Sequence, residues 1–208
     1  MLAGTNGAGK SSIAGAMFQQ AGVEYFNPDQ AARRIRERNP GASQTEANGA
    51  AWEQGRRLLE RAVAERLSFA FETTLGGTTM TALLERAVDA GIEVRVWYVG
   101  LSTPELHLAR VRARVARGGH DIPETQVRTR YDSSRLNLIR LLPRLAELRV
   151  YDNSADADPR AGRAPEPELL LHMVHGKVVR AGALGRTPEW AKPILAAALK
   201  VGGPVKAS

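Results

Sequence analysis

Gly4-Thr5-Asn6-Gly7-Ala8-Gly9-Lys10-Ser11 fits G-x-x-x-x-G-K-[ST], the pattern of a phosphate-binding loop. Its three glycines let the backbone turn tightly and point successive N–H groups at an anion. A helix beginning near Lys10 adds the positive end of its dipole. In this pattern Gly4, Asn6, Gly7, Ala8 and Gly9 form the cradle and Lys10 reaches the β- and γ-phosphates. Ser11 and Ser12 open the helix, and the Ser11 hydroxyl is placed to hold Mg²⁺. A glycine-rich turn before an ordinary helix is the weaker reading, because every fixed position is met and a helix-period segment follows. Only Met1-Leu2-Ala3 precede the loop, so the strand feeding it is either minimal or begins upstream of this numbering.

Outward from the loop, strands and helices alternate. Residues 12–21 read as a helix closed by Gly22, and Val23 to Phe26 as a short strand. Asn27-Pro28 caps and opens a helix running to about Arg38. Ser43 to Leu67 reads as a long helix with Ser43 and Glu46 in a capping box, and its apolar side is visible from Leu58 onward. Residues 68–72 are a buried strand ending on Glu72, 78–90 a helix, and 93–99 a β-branched and aromatic strand. Thr103-Pro104 opens an arginine-bearing helix that breaks at Gly118-Gly119. The run from Pro123 to about Glu147 is helical with an interruption at Pro143, and Leu148 to Tyr151 is a strand. After a polar stretch at 155–166, Leu169–His172 and Lys177–Arg180 pair as a hairpin around His175-Gly176. A final helix runs from Thr187 to about Lys200. This alternation predicts an α/β fold: a mostly parallel sheet with helices on both faces and the ligand at the carboxyl ends of the strands.

Composition narrows the functional classes. At 208 residues with 43% hydrophobic content, one domain with a real core is expected. No apolar run approaches the length of a membrane span, no secretory signal opens the chain, and cysteine is absent. A cytoplasmic protein without a membrane partner is expected. The net charge is +7 and arginine far outnumbers lysine. No nucleic-acid recognition motif accompanies that charge; many of the arginines fit the solvated face of amphipathic helices, and a site for a triphosphate and a second phosphorylated substrate also needs clustered positive charge.

Phosphoryl transfer needs a cradle, a metal, cations on the transferred group and something to orient the acceptor. Asp29, just past a strand and at a helix start, can take the proton of a substrate hydroxyl, or can simply favour its helix end. Glu72 can hold Mg²⁺ or grip a substrate hydroxyl, and Thr73 and Thr74 can bond a sugar or shape the turn. Arg114, Arg117, Arg128 and Arg130 flank the Gly118-Gly119 break as candidates for a lid over the phosphates, with His120 and Asp121 beside them.

Four stretches in order resemble the zeta-toxin-like kinases: Gly4–Ser11, Phe26-Asn27-Pro28-Asp29, Phe71-Glu72-Thr73-Thr74, and Gly118 to Pro123 followed by Arg128-Thr129-Arg130-Tyr131. The resemblance covers roughly residues 1–155. It implies a P-loop kinase-type three-layer sandwich with a helical lid around 110–130, and a C-terminal extension of the same domain over 156–208. It also implies transfer from ATP or GTP, with Mg²⁺, to the sugar 3′-hydroxyl of UDP-N-acetylglucosamine. A small antitoxin protein is the implied partner. Asp29 matches the family's catalytic base, Lys10 and Ser11 serve nucleotide and metal, and Glu72, Thr73, Thr74 and His120 fall on the substrate side. Arg117 and Arg128 are assigned to the phosphates as catalytic cations and Arg114 to the nucleotide. The lid sequence differs from that of the larger toxins, with Gly-Gly-His-Asp-Ile-Pro standing in that region.

Three other readings remain open: a P-loop kinase for another alcohol or a nucleic-acid end, an ATPase that couples hydrolysis to movement, and an inert nucleotide-binding module. Against the ATPase, the chain has no Leu-Ser-Gly-Gly-Gln signature and no strand of four aliphatics ending in Asp.

Overall fold

A computed structural model describes residues 1–10, 25–155 and 167–203. The expected helix over 12–21, with Ser11 and Ser12 in the loop's last turn, lies outside the described residues. The elements run β1 (Leu2–Ala3), β2 (Tyr25–Phe26), α1 (Pro28–Arg38), α2 (Gln44–Glu65), β3 (Ala70–Thr73), α3 (Thr78–Asp89), β4 (Arg95–Gly100), α4 (Pro104–Val115) and α5 (Glu124–Leu141). A 3₁₀ turn (Leu142–Arg144), β5 (Glu147–Asp152), β6 (Glu168–Val174), β7 (Lys177–Ala181) and α6 (Lys192–Gly202) complete them. The sheet order is β2-β3-β1-β4-β5-β6-β7.

The first five strands are parallel. β1 has only two residues yet sits at the centre, with Leu2 facing Glu72 on one side and Trp97 on the other. Its Leu2 and Ala3 are fully buried, as a strand covered on both faces requires. The fold is therefore α/β with a mostly parallel sheet, of the P-loop kinase-like kind. The sheet continues through an antiparallel edge, β6 on β5 and β7 on β6. The turn between β6 and β7 has His175 at φ 46° and Gly176 at φ 73°. Two successive left-handed residues match the right-handed twist of a hairpin.

One face of the sheet carries Ala3, Phe71, Val96, Tyr98, Leu148 and Val150. It packs against Leu59 of α2, Leu83 and Leu84 of α3, Leu138 and Leu141 of α5, and Ile194 and Leu195 of α6. The other face carries Leu2 and Val99, flanked by Tyr25, Ala70 and Trp97. The capping box on α2 forms as the sequence predicts, with Ser43 Oγ accepting from the Glu46 N–H and the Glu46 carboxylate accepting from the Ser43 N–H. Pro143 ends α5 in a 3₁₀ turn rather than kinking a continuous helix. The last helix starts at Lys192, later than its Thr187-Pro188 signal suggests. Trp190 in that interval is buried, and its indole N–H donates to Asp152 at 3.1 Å.

Two details place the functional edge. In register, Phe26 faces Phe71, which brings Asn27 beside Glu72 at the carboxyl end of the sheet. Helix α5 is pinned across the same edge by a polar stripe at helical spacing. Ser133 Oγ donates to the Gly76 carbonyl, Ser134 Oγ to that of Thr74, and Asn137 Nδ2 to that of Leu75. The buried Tyr98 hydroxyl donates to Ser134 Oγ, and burial pushes its pKa up to about 12.

Candidate active site

The glycine loop is held by close approaches. Gly4, Gly7 and Gly9 have φ of 141°, 81° and 85°. A Cβ on Gly4 would sit 2.1 Å from the Val99 carbonyl oxygen, on Gly7 2.6 Å from that of His107, and on Gly9 2.4 Å from Asn153 Nδ2. Gly4 and Gly7 are thus required twice, by backbone conformation and by space, and at Gly9 the positive φ is joined by a side-chain contact. Two side chains that the sequence did not single out complete the support. His107, fully buried on α4, hydrogen-bonds through Nδ1 to the Asn6 carbonyl at 2.7 Å. A carbonyl only accepts, so Nδ1 carries the proton. Burial lowers the His107 pKa to about 4, helped by the nearby Lys10, Arg110 and Arg135 charges, so the ring is neutral. Asn153, just past β5, donates through Nδ2 to the Ala8 carbonyl at 2.8 Å. The rule that ligands gather past strand ends points to Asn153, whereas nothing local to His107 marks it.

Lys10 is buried, with Nζ 2.7 Å from the Gly4 carbonyl and 3.6 Å from a Glu72 oxygen. The other Glu72 oxygen accepts from Asn27 Nδ2 at 2.9 Å. Asn27 in turn caps α1, accepting from the N–H groups of Asp29 and Gln30. One chain of contacts therefore runs from the phosphate loop through Glu72 to the helix that carries Asp29. The Asp29 carboxylate is half-exposed and lies 3.2 Å from Arg114 Nη1 and 3.8 Å from His120 Nε2. Arg114 also donates to the His120 carbonyl at 3.1 Å, which ties α4 to the loop after its break. Thr73 and Thr74 bend the turn after β3, their hydroxyls accepting from the N–H groups of Leu75 and Gly76.

Helix geometry separates the arginines. Arg110, Arg114 and Arg117 recur at helical spacing along α4 and into the turn beyond it, and all line one cleft. Arg128 and Arg130 are two residues apart on α5, about 200° around the axis, so only one can face the loop. It is Arg130, whose Nη1 donates to Asn6 Oδ1 at 2.9 Å. Its burial lowers its pKa, opposed by the charge of Asp29. Arg128 is exposed and held by Glu105 and Glu124, which raise its pKa. Of the two, Arg130 lines the cleft and Arg128, expected at the phosphates, does not. Arg117 lines the cleft but is exposed, its Nε donating to the Ala113 carbonyl.

The cleft has a volume of about 2190 Å³. Gly7, Gly9, Lys10, Asp29, Glu72, Thr73, Thr74 and His120 all line it. Its size is about twice the upper end of the ~300–1,000 Å³ usual for one small-molecule site, which leaves room for two substrates. The donor set fits an anion. Lys10, Arg114 and Arg130 line the same space, and among the described residues Arg114 Nε is buried without an acceptor. No helix of the described residues is long and apolar enough to cross a membrane.

Comparison with known proteins agrees with this architecture. The family model described as AAA domain (AAA_33) matches residues 1–135. An uncharacterized protein of Haemophilus influenzae is 34% identical over 132 residues, covering 62% of this chain and 88% of its own. The crystal structure of AvrRxo1-ORF1:-ORF2 with ATP superimposes over 100% of this chain with a TM-score of 0.64 at 18% identity. The chain spans 63% of that protein's chain, a little under two thirds. The PezAT chromosomal toxin-antitoxin system of Streptococcus pneumoniae gives a TM-score of 0.51 at 15% identity, covering 79% of this chain and 72% of its own. These two structural likenesses are of fold.

Proposed function

The chain belongs to the AAA domain family of P-loop nucleotide-binding proteins, and from that premise we propose that it is an ATP- or GTP-dependent kinase whose acceptor is UDP-N-acetylglucosamine, phosphorylated on the sugar 3′-hydroxyl. The observation that carries the reading is the placement of the Asp29 carboxylate in the same cleft as the phosphate loop and Lys10. A cradle alone serves any nucleotide-binding protein. A half-exposed carboxylate across from it, flanked by Arg114 and His120, is what an attacking alcohol needs.

In this mechanism the loop N–H groups and Lys10 hold the β- and γ-phosphates. Arg130 and Arg114 neutralise charge on the transferred group. Asp29 takes the hydroxyl proton as the sugar oxygen bonds to the γ-phosphorus. The bond from that phosphorus to the bridging oxygen breaks, and the nucleoside diphosphate leaves with the electron pair. Ser11 and Glu72 would hold Mg²⁺, which would supply further neutralisation of the phosphate charge. Glu72 otherwise keeps Lys10 and Asn27 in place, and Thr73, Thr74 and His120 face the acceptor. Residues 1–155 act as the kinase core and 156–208 as an extension of the same domain. A small antitoxin partner belongs to the same proposal, supported by the likeness to the PezAT toxin-antitoxin system and to AvrRxo1-ORF1 in its complex with -ORF2.

The test is incubation of the purified chain with ATP, Mg²⁺ and UDP-N-acetylglucosamine, followed by mass spectrometry for a product heavier by one phosphate. A panel of nucleosides, other alcohols and RNA ends runs in parallel. Transfer to UDP-N-acetylglucosamine is expected, and Asp29→Ala is expected to abolish it while ATP still binds. Transfer by Asp29→Ala at the wild-type rate would remove the base assignment.

A further inference from the structure

The far wall of the cleft is formed by the first turns of α2, and it has a chemical character unlike the rest. Gln44, Thr45, Asn48, Gly49 and Trp52 all line the cleft. Residues 45, 48, 49 and 52 follow the i, i+3, i+4, i+7 spacing of one helix face. The opposite side of these turns is buried through Ala47 and Ala51, which pack on Ala32 of α1. Trp52 is 45% exposed. A single exposed aromatic residue is ordinary on a convex surface. Here it faces a concave site that already holds a phosphate loop.

The glycines of α2 supply an independent observation. A Cβ on Gly55 would meet the Phe26 ring at 2.7 Å, so packing explains that glycine. A Cβ on Gly49 would meet nothing within 4 Å. A glycine inside a helix is destabilising relative to alanine, and no neighbour among the described residues requires this one. Side chains on a helix lean toward its N-terminus, which directs Trp52 toward the turn that contains Gly49. The missing side chain keeps the flank of that ring open to the cleft. Polar groups stand beside it in order: Arg36 donates to Gln44 Oε1 at 3.0 Å, and Gln44 Nε2 donates to Asn48 Oδ1 at 2.9 Å. With its oxygen engaged, Asn48 presents its amide NH₂, which matches the ring carbonyl of a nucleobase.

We propose that this stripe is the seat of the acceptor's nucleobase: the base stacks on Trp52, takes a hydrogen bond from Asn48, and fits because position 49 has no side chain. The inference rests on the kinase reading and deepens it, since it names the part of the acceptor that the protein recognises. α1 and α2 pack together, so the helix that presents Asp29 to the hydroxyl is braced on the one that holds the base. The acceptor is then a sugar or alcohol linked to a nucleobase through phosphate, and the base-less sugar phosphate is a poor substrate.

Steady-state kinetics of Trp52→Ala, Trp52→Phe and Gly49→Ala test this, with UDP-N-acetylglucosamine and N-acetylglucosamine 1-phosphate as acceptors. Trp52→Ala is expected to raise KM for UDP-N-acetylglucosamine about 10- to 100-fold, the size of one base–aromatic stack, with KM for ATP within about twofold. Its kinetics on N-acetylglucosamine 1-phosphate should match wild type. Trp52→Phe should keep most of the affinity. Gly49→Ala should raise the acceptor KM without lowering Tm, a combination that a purely structural role of the glycine does not produce. A wild-type acceptor KM in Trp52→Ala, or an equal rise for the base-less acceptor, overturns the subsite and leaves the kinase intact. If the wild-type protein transfers nothing to UDP-N-acetylglucosamine, the acceptor assignment fails instead. The subsite is then decided by titrating UDP against intrinsic fluorescence. Quenching lost in Trp52→Phe supports it, and identical titrations in both proteins overturn it.

Discussion

At the glycine loop, backbone meets backbone: Gly4 and Gly7 lie against the carbonyls of Val99 and His107 with no room for one further carbon. At the wall across from it, charged side chains meet solvent, and Asp29 and Arg117 are both exposed. The first wall is fixed before any ligand arrives, because moving it means moving β4 and α4. The second is held by ion pairs between exposed groups, which contribute little each and rearrange readily. A pre-formed cradle beside an adjustable wall suits an enzyme that binds a constant triphosphate and closes over a separate acceptor.

The comparison breaks first at its two charged ends. Lys10→Ala removes the buried cation of the fixed wall, and should weaken ATP binding and phosphate transfer together. Asp29→Asn removes the carboxylate of the adjustable wall, and should lower transfer by about 10²- to 10⁴-fold, the usual contribution of a general base. ATP affinity, measured by calorimetry, should stay within about twofold of wild type in that variant. Equal losses of binding in the two variants would show that the walls do not divide the work in this way.

The rigidity of the cradle is tested by Gly7→Ala. The left-handed backbone at this residue costs an alanine on the order of 1 kcal/mol, and the contact with the His107 carbonyl adds to it. The total is expected to be about 2–4 kcal/mol in chemical denaturation, with ATP affinity reduced in whatever protein folds. Gly49→Ala, in open space on α2, is the matched control and should be neutral or stabilising.

These two walls were not equally legible in the sequence. The loop is local: eight consecutive residues carry the whole pattern, and a strand followed by Asn-Pro-Asp or Glu-Thr-Thr is nearly as compact. What supports the loop is not local. His107 is 101 residues from the Asn6 carbonyl it holds, and Asn153 is 145 residues from that of Ala8. No pattern within a window of the chain encodes such contacts. The antiparallel edge is a mixed case, since the β6–β7 hairpin announces itself through His175-Gly176 but its pairing with β5 does not. Among the candidate arginines, the choice of Arg130 over Arg128 is legible, because Arg130 begins the stripe of Arg130, Ser133, Ser134 and Asn137 that faces the sheet edge. Nothing in the sequence marks Trp52, because the apolar periodicity of α2 begins only at Leu58, where the helix turns into the core.

The buried support under the cradle gives a pH dependence whose sign follows from His107. Its folded pKa lies near 4, below the ordinary 6.5, so the unfolded chain binds the proton more tightly. The neutral ring's contribution is fully present above about pH 6.5 and is lost as pH falls toward 4. Over that window the loss is on the order of 3 kcal/mol. Urea denaturation at pH 7.5 and pH 5 should show the decline, and His107→Asn should flatten it while lowering stability at pH 7.5. An unchanged slope in His107→Asn would assign the acid sensitivity to the carboxylates instead.

The smallest expected effect is also the sharpest test of how α5 is read. Arg128 and Arg130 share a residue type, a helix and a distance in sequence of two, and differ only in which way the helix turns them. Arg130 donates to the cradle's Asn6 and is partly desolvated, so Arg130→Ala should reduce transfer at saturating acceptor by about tenfold or more, as the loss of a cation on the transferred group does. Arg128 pairs with Glu105 and Glu124 in solvent, and such pairs are worth about 0.2–1 kcal/mol. Arg128→Ala should therefore leave kcat and both KM values within about twofold and shift stability by less than about 1 kcal/mol. Should the two variants lose activity equally, α5 must rotate or unwind when substrate binds, and the lid would then move by more than its side chains.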